Sequence, residues 1–491
     1  MSIERFIAFD FGAESGRAIL GSLETKKIRL KELHRFPNKQ ISVSGHIHWD
    51  MTYLMAELKK ALRSSVEHGY RELLGLGVDT WGVDFGLVGR NNQILGHPYA
   101  YRDPRTQGMM EKAFQLMSRE NMYSSTGIQF MPFNSVFQLL SMVESESPVL
   151  EQCEILLFMP DLFNFLLTGQ KCSEYTIAST SQLLNAKNKN WEPEIFEKLG
   201  LPLDIMAPVV PPGTSVGCLL PAIAEETGIL PVDVIAPACH DTASAVAAVP
   251  AQSSNWAYLS SGTWSLLGIE ADAPVITQDS LRNNFTNEGG VGGTIRFLRN
   301  TMGLWLLQRC LKSWQEQGDS LGYDELASLA QEAQSFKCIV DPDDRAFLNP
   351  SDMPAAIVEF CRSTGQPFPE KKGEFVRCIL ESLALKYRFI IERINAMSPE
   401  AVEVLHIVGG GSRNELLNQF TANATGLPVI AGPVEATAVG NIMVQAIAKK
   451  VLSGIEEGRK VVARSFPLRD FHPAGQDRWS EVYDRVKGMF S

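Results

Sequence analysis

One strand-turn-strand pattern occurs twice in this chain and limits the folds open to it. The first copy spans residues 6–20 and the second spans residues 256–269. Each copy has an apolar strand, a short polar turn that contains glycine, and a second apolar strand, which is typical of a β-hairpin. A turn of this kind exposes backbone N–H groups that can hold phosphate. The repeat therefore predicts two related domains that hold one nucleotide between them.

The length of the chain agrees with two domains. At 491 residues it exceeds what a single hydrophobic core supports. No low-complexity linker separates the halves, and the short crossing lies near residues 245–255. We predict an N-terminal domain over residues 1–248 and a C-terminal domain over residues 249–491.

Charge and composition exclude several classes of partner. The net charge of −11 disfavours nucleic acid and anionic membranes as partners. No apolar run approaches the ~18 residues of a membrane span, and the first residues lack a signal-peptide pattern, so we expect a cytoplasmic protein. The eight cysteines show no Cys-x-x-Cys spacing, which argues against a zinc site or a disulfide scaffold. Cys239 ends an apolar run and is expected to be a buried structural thiol.

The first half alternates strands with amphipathic helices, which predicts an α/β fold. A third strand is predicted at residues 28–35, a helix at 51–67 and a buried strand at 74–78. Apolar runs at 155–159 and 234–238 also lead into polar segments that contain aspartate. Because ligands of open α/β sheets bind at the carboxyl ends of strands, the residues just beyond these runs are candidate site residues.

The second half is predicted to continue its hairpin with a helix-rich stretch, over residues 302–310, 323–333 and 375–395. A strand at 404–408 then runs into three glycines and a helix that ends at Ala424. A Gly-rich turn between strand and helix lets the backbone approach a ligand closely. On its own, the same turn is equally consistent with a plain tight connection.

The segment His240-Asp241-Thr242 contains the strongest candidate for a catalytic side chain. It follows a buried strand and opens a short helix of small residues. Asp241 could serve only as a helix N-cap. Its place immediately before the second hairpin favours a carboxylate that faces bound phosphates. Phosphoryl transfer needs a held phosphate chain, a metal ion and a carboxylate that accepts the hydroxyl proton.

Together these segments resemble the FGGY carbohydrate kinases. The motifs that carry the resemblance are Asp-x-Gly at 10–12, Asp-Thr-Trp-Gly-Val-Asp-Phe at 79–85, Ala-Tyr-Arg-Asp at 100–103, His-Asp-Thr-Ala-Ser at 240–244, Leu-Ser-Ser-Gly-Thr-Trp-Ser at 259–265 and Gly-Gly-Gly-Ser-Arg-Asn at 409–414. Further segments, at 127–134, 286–290, 300–308 and 431–436, resemble the L-rhamnulose kinases within that family. The resemblance extends from residue 6 to about residue 448.

The resemblance implies two actin-like, ribonuclease H-like domains with a nucleotide cleft between them. It also implies transfer of the γ-phosphoryl group of ATP to the C1 hydroxyl of L-rhamnulose, with Asp241 as proton acceptor. The sugar-side positions that it implies are Gly82, His240, Asp241, Thr242 and Asn300. The nucleotide-side positions are Ala13, Glu14, Ser15, Gly16, Arg17, Thr263, Gln308 and Gly410. Asp10 matches the carboxylate that organises Mg²⁺ through water, since this ion tends to keep its hydration shell.

Glu14 departs from the family pattern, which has small residues in this turn. A carboxylate near a triphosphate costs energy unless it points away. We therefore expect Glu14 to face solvent or to pair with a basic residue.

Other interpretations stay open at this point. Within the family, an L-fuculose or xylulose kinase is the alternative. A filament- or chaperone-type ATPase would share the hairpins without needing His240-Asp241-Thr242. A sugar-sensing repressor would add a DNA-binding helix-turn-helix, for which the sequence has no pattern. Monomer and homodimer are both compatible with the sequence.

Overall fold

A computed structural model describes residues 3–319 and 321–490. Its strands are β1 Glu4–Phe11, β2 Ser15–Glu24, β3 Lys27–Pro37, β4 Gln40–Val43, β5 His46–Trp49, β6 Gly75–Thr80, β7 Phe85–Gly89, β8 Cys153–Phe158, β9 Ser173–Glu174, β10 Val209–Val210, β11 Thr214–Cys218, β12 Asp233–Ala236, β13 Trp256–Ser261, β14 Trp264–Ala271, β15 Thr286–Gly289, β16 Ile295–Met302, β17 Val404–Val408, β18 Val429–Ala431 and β19 Arg469–Phe471.

Helices connect these strands throughout the chain. They are α1 Met51–Glu67, α2 Met109–Leu116, α3 Arg119–Thr126, α4 Ser135–Glu144, α5 Pro148–Glu151, α6 Met159–Thr168, α7 Tyr175–Ala178, α8 Pro193–Leu199, α9 Pro221–Thr227, α10 Asp241–Ala247, α11 Gln278–Arg282, α12 Trp305–Glu316, α13 Tyr323–Glu332, α14 Met353–Ser363, α15 Lys372–Met397, α16 Glu415–Thr425, α17 Ala436–Ala448, α18 Ile455–Ser465 and α19 Gln476–Val486.

The chain forms two compact units, each assembled from separate stretches of sequence. Unit 1 contains Met1–Pro250, Glu270–Phe297 and Ala436–Phe466. Its main sheet has the strand order β11-β12-β6-β1-β2-β3. Strands β1, β6 and β12 run parallel, whereas β2 pairs antiparallel with β1. The carboxyl ends of the three parallel strands therefore meet at one edge of the sheet.

Apolar side chains explain why these segments pack as they do. Phe6, Ile7 and Phe9 of β1 are fully buried, and α1 buries Leu54 and Leu58 at helical spacing. The Asp50 carboxylate caps α1 by accepting a hydrogen bond from the backbone N–H of Tyr53 at 3.0 Å.

Unit 2 contains Ala251–Ile269, Leu298–Glu435 and Pro467–Ser491. Its strands follow the order β16-β14-β13-β17-β18-β19. Strand β13 pairs antiparallel with β14 and parallel with β17. The long helix α15 supplies much of the core, and residues 378–387 in its middle are buried on every face.

Most elements expected from the sequence are confirmed, including both hairpins, β3, α1, β6 and β17. The stretch after the second hairpin differs. Strands β15 and β16 precede the helices there, and Met302 ends β16 while α12 begins at Trp305. Strand β15 has the sequence Thr-Asn-Glu-Gly, which lacks the apolar alternation that identifies a strand.

Cys239 is fully buried, as expected of a structural thiol. Within residues 3–319 and 321–490, the structure has no helix that is long and apolar enough to cross a membrane.

Candidate active site

The turn between β1 and β2 is fixed by its own backbone and by Asn38. The Gly12 N–H donates to the Ser15 carbonyl at 3.0 Å, and the Asn38 side-chain amide donates to the Gly12 carbonyl at 2.8 Å. The Asn38 N–H donates to the Glu14 carbonyl at 2.9 Å. A Cβ at Gly16 would clash with the Phe36 ring, so only glycine fits there. The Glu14 side chain is exposed, as expected for a carboxylate that faces solvent.

Asp10 lies at the carboxyl end of β1, opposite Arg17 near the start of β2. Its Oδ2 accepts hydrogen bonds from Nη2 and Nε of Arg17, at 2.7 and 2.9 Å. Both N–H groups converge on one carboxylate oxygen and form charge-assisted hydrogen bonds. Arg17 therefore holds the Asp10 carboxylate in one orientation next to the turn.

Asp79 is the register partner of Asp10 on the neighbouring parallel strand β6. Burial raises the pKa of Asp79 well above its ordinary value, and the Asp10 carboxylate and, less strongly, Asp241 raise it further. The Asn441 side-chain amide of α17 donates to Asp79 Oδ2 at 2.5 Å and opposes the rise. The carboxylates of Asp10, Asp79 and Asp241 thus lie close enough at this edge of the sheet to interact electrostatically.

This group of carboxylates fits a hydrated Mg²⁺ better than a directly coordinated metal. Among the described residues, no three His, Cys, Asp or Glu side chains are placed to hold a metal ion together. Mg²⁺ keeps several of its waters and needs only one or two protein carboxylates. Asp10, at 6 % relative exposure and oriented by Arg17, is the carboxylate that would fit such a hydrated ion.

The backbone before α10 is anchored by buried side chains of a neighbouring segment. The Cys239 N–H donates to Glu174 Oε2 at 3.1 Å, and the His240 N–H donates to Thr176 Oγ1 at 3.1 Å. The Thr80 N–H donates to the Cys239 carbonyl at 2.9 Å, which ties the segment to the end of β6. Residues 239–240 therefore have little freedom to move relative to the sheet.

Asp241 is the first residue of α10, and His240 takes the N-cap position. The N-cap interpretation of Asp241 is therefore wrong. Its Oδ1 accepts from the Thr242 N–H at 2.5 Å and lies 3.1 Å from Thr242 Oγ1. Desolvation raises the pKa of Asp241, His240 opposes that rise, and the Asp10 carboxylate adds to it. The side chain keeps 30 % relative exposure, so this carboxylate is both reachable and more basic than usual.

The His240 imidazole bridges Asp241 and two buried charged residues. Nε2 lies 3.4 Å from Asp241 Oδ1. On the other side, Nδ1 lies 3.0 Å from Nη2 of Arg296 and 3.3 Å from Oε2 of Glu288. Glu288 and Arg296 lie on β15 and β16, which the sequence did not predict as strands. One sequence feature could have identified Arg296: it is a single cation within the otherwise apolar run 295–298. If such a run forms a buried strand, the cation requires a buried partner.

Gly82 lies next to Nε2 of the His240 ring. A Cβ at this position would lie 3.5 Å from His240 Nε2 and 3.4 Å from the Thr180 side chain. The neighbouring Trp81 is buried, with its ring 4.2 Å from that of Trp49, and belongs to the core. Both indole N–H groups donate to Asp84 Oδ2, at 2.9 Å for Trp81 and 2.7 Å for Trp49.

Unit 2 brings a second group of candidate residues together. The Thr263 carbonyl, in the turn between β13 and β14, accepts from the N–H groups of Gly303 and Trp305 at 3.0 and 3.2 Å. This contact places the start of α12, which carries Gln308, against the turn. The Oε1 atom of Gln308 is buried.

The Gly-rich turn after β17 lies against the same hairpin. A Cβ at Gly411 would clash with the Ser261 side chain, whereas Gly410 faces open space. The turn therefore does more than connect two elements, because it packs tightly on the end of β13. Asn300, the remaining sugar-side candidate, lies near the end of β16.

Unit 1 thus collects Asp10, Ala13–Arg17, Gly82 and His240-Asp241-Thr242, and unit 2 collects Thr263, Asn300, Gln308 and Gly410. A sequence comparison matches residues 5–248 to the N-terminal domain of the FGGY family of carbohydrate kinases and residues 257–449 to its C-terminal domain.

Full-length relatives agree with this match. The chain is 49% identical to a rhamnulokinase of Bacteroides thetaiotaomicron, over 99% of this chain and 99% of that protein. It is 39% identical to a rhamnulokinase of Bacillus subtilis, over 96% of each chain.

Solved structures share the fold at low sequence identity. A ligand-bound xylulose kinase from Lactobacillus acidophilus superposes with a TM-score of 0.81 at 14% identity, over 99% of this chain and 97% of that chain. A Plasmodium falciparum glycerol kinase with ADP superposes with a TM-score of 0.80 at 13% identity, over 99% and 98%. The fold, both domain matches and the relatives together identify the chain as a member of the FGGY family of carbohydrate kinases.

Proposed function

We propose that this protein transfers the γ-phosphoryl group of ATP to the C1 hydroxyl of L-rhamnulose. The observation that carries the proposal is the Asp241 carboxylate, which is accessible, raised in pKa and 3.4 Å from Nε2 of His240. The rhamnulokinases that match the whole chain support the choice of sugar.

In the proposed reaction Asp241 is the proton acceptor. The C1 hydroxyl oxygen forms a bond to the γ-phosphorus of ATP while the bond from that phosphorus to the bridging oxygen of ADP breaks. The hydroxyl proton passes to Asp241, and ADP leaves with the electron pair of the broken bond. Because the proton leaves late in a loose transition state, correct positioning contributes more than strong basicity.

The other residues bind and orient in this proposal. Gly82, His240, Thr242 and Asn300 lie on the sugar side. The turn formed by Ala13, Glu14, Ser15, Gly16 and Arg17 offers backbone N–H groups to the phosphates. Thr263, Gln308 and Gly410 are the further residues that contact the nucleotide in this proposal.

Asp10 would hold Mg²⁺ through water, and this ion would neutralise charge on the phosphates. Arg17 orients the Asp10 carboxylate for that purpose. Within the proposal the sequence divides into a sugar-binding, catalytic domain over residues 1–248 and a nucleotide-binding domain over residues 249–491, a division supported by the two family matches. In the fold, the segments 270–297 and 436–466 pack with unit 1 and not with unit 2.

A coupled ADP-release assay tests the proposal with L-rhamnulose, L-fuculose, D-xylulose, L-ribulose and glycerol as acceptors. We expect the highest kcat/KM on L-rhamnulose, and phosphorus NMR of the product should show a phosphate on C1. Faster turnover on another acceptor would contradict the choice of sugar. ATP hydrolysis that is equally fast without any acceptor would contradict kinase function altogether.

A further inference from the structure

A buried arginine, Arg296, lies against the His240 imidazole. Arg296 is fully buried in β16, and its Nε donates to the Gly289 carbonyl at 2.8 Å. Its Nη2 lies 3.0 Å from His240 Nδ1 and 3.1 Å from Glu288 Oε2. The guanidinium is thus held by Gly289 and Glu288 in addition to its contact with the histidine ring.

A guanidinium has only N–H donors and cannot accept a hydrogen bond. At 3.0 Å from Arg296 Nη2, His240 Nδ1 must therefore be the acceptor and carry no proton. A neutral imidazole with an unprotonated Nδ1 has its proton on Nε2. Nε2 is the atom that faces Asp241 Oδ1, at 3.4 Å.

We propose that Arg296 is a positioning residue that holds His240 as the neutral Nε2–H tautomer, so that an N–H donor faces Asp241 and the bound sugar. The inference rests on the proposed function, because it assigns a role toward the same proton acceptor. Glu288 balances the buried charge of Arg296. Thr176 holds the backbone N–H of His240, and the Gly289 carbonyl holds the guanidinium.

The alternative proton position explains what Arg296 prevents. Glu288 Oε2 lies 3.3 Å from Nδ1 and would accept a proton from that atom. With Nδ1 protonated, His240 presents either a bare Nε2 lone pair to the Asp241 carboxylate or an imidazolium that pairs with it. The first state repels the carboxylate, and the second weakens it as a base. Arg296 excludes both states because its own N–H already points at Nδ1.

Imidazole ¹⁵N NMR of the histidine-labelled protein tests the assignment directly. The chain has eight histidines, so the His240 signals are identified by their absence from His240→Gln. We expect a protonated Nε2 and an unprotonated Nδ1 in the wild-type protein. A protonated Nδ1 in the wild type would overturn the inference, and this measurement does not depend on whether Arg296→Met folds.

The variant Arg296→Met should move a proton to Nδ1. In the kinase assay its kcat should fall about 10²-fold while KM for ATP changes by less than about twofold, because a misaligned group near the reacting atoms affects the chemical step. A kcat within about threefold of wild type would contradict the positioning role.

Arg377→Met is the control, because Arg377 is a partly buried arginine that, like Arg296, pairs with a buried glutamate, here Glu381 at 2.8 Å. It should lose stability but keep the wild-type His240 signals and kcat. Loss of the Nε2–H tautomer in Arg377→Met as well would show that general destabilisation, and not Arg296, controls the ring.

The two proposals can fail separately. If L-rhamnulose is not phosphorylated but the NMR results hold, only the proposed function is wrong. If L-rhamnulose is phosphorylated while wild-type His240 carries its proton on Nδ1, only the role of Arg296 is wrong.

Discussion

Gly440 of α17 packs directly against the Ser244 carbonyl oxygen of α10, so closely that a Cβ on Gly440 would clash with it. The contact matters because α10 begins with Asp241. Helix α17 comes from late in the sequence but belongs to unit 1. Its contact with Ser244 therefore fixes the position of α10 in that unit.

Gly440→Ala should displace α10 and lower both stability and turnover. We expect the free energy of unfolding to fall by about 1–3 kcal/mol, since an added methyl group meets backbone that cannot move aside. Urea unfolding and the kinase assay measure the two effects. Gly454→Ala is the control, because a Cβ there meets no atom within 4 Å. Equal stability of the two variants would show that α10 can shift freely.

Gly82→Ala should weaken sugar binding without disturbing the fold. The new methyl group would make ordinary contacts with Thr180 and His240 at 3.4 and 3.5 Å. It would also occupy space in front of the His240 ring. We expect KM for the ketose to rise about tenfold, the equivalent of about 1.4 kcal/mol, while KM for ATP stays the same. An unchanged KM for the ketose would place the sugar elsewhere.

Glu174 should make stability depend on pH. Burial raises the pKa of Glu174 from 4.5 to about 7, while the hydroxyl of Thr176 and the backbone N–H groups of Thr176, Ile177 and Cys239 oppose the rise. The folded protein therefore binds this proton more tightly than the unfolded chain. The associated stabilisation is complete below about pH 4.5 and is lost as the pH rises to about 7.

The comparison with Glu174→Gln isolates this effect, because glutamine does not titrate. We expect the free energy of unfolding of the wild type, relative to the variant, to fall by about 3 kcal/mol across that pH interval. Urea unfolding at several pH values measures it. Parallel curves for the two proteins would contradict the raised pKa.

Local patterns in the sequence were sufficient to predict the hairpins β1-β2 and β13-β14 and helix α1. In each, the spacing of apolar residues identifies the element without knowledge of its partners. Strand β15 could not be predicted in this way because its sequence is polar and glycine-containing. Its burial depends on residues distant in the chain, as when the Gly289 N–H donates to Ser179 Oγ at 2.8 Å.

The candidate site residues likewise fall into two groups, those that local sequence predicts and those that it does not. Asp10 lies at the carboxyl end of β1, His240 and Asp241 follow the end of β12, and these positions mark them in the sequence. Arg296, Glu288 and Glu174 act through contacts that bring together segments more than forty residues apart. Nothing in the spacing of one segment predicts which side chain of another will lie against it.

The central claim, that Asp241 accepts the proton of the sugar hydroxyl, is tested most directly by Asp241→Asn. Asparagine keeps the shape of the side chain and removes its basicity. Calorimetry should show ATP and L-rhamnulose binding close to wild type, while turnover falls by about 10²–10⁴-fold. Asp233→Asn, at the opposite end of β12, is the control and should retain turnover. Turnover of Asp241→Asn within severalfold of wild type would show that Asp241 is not the base.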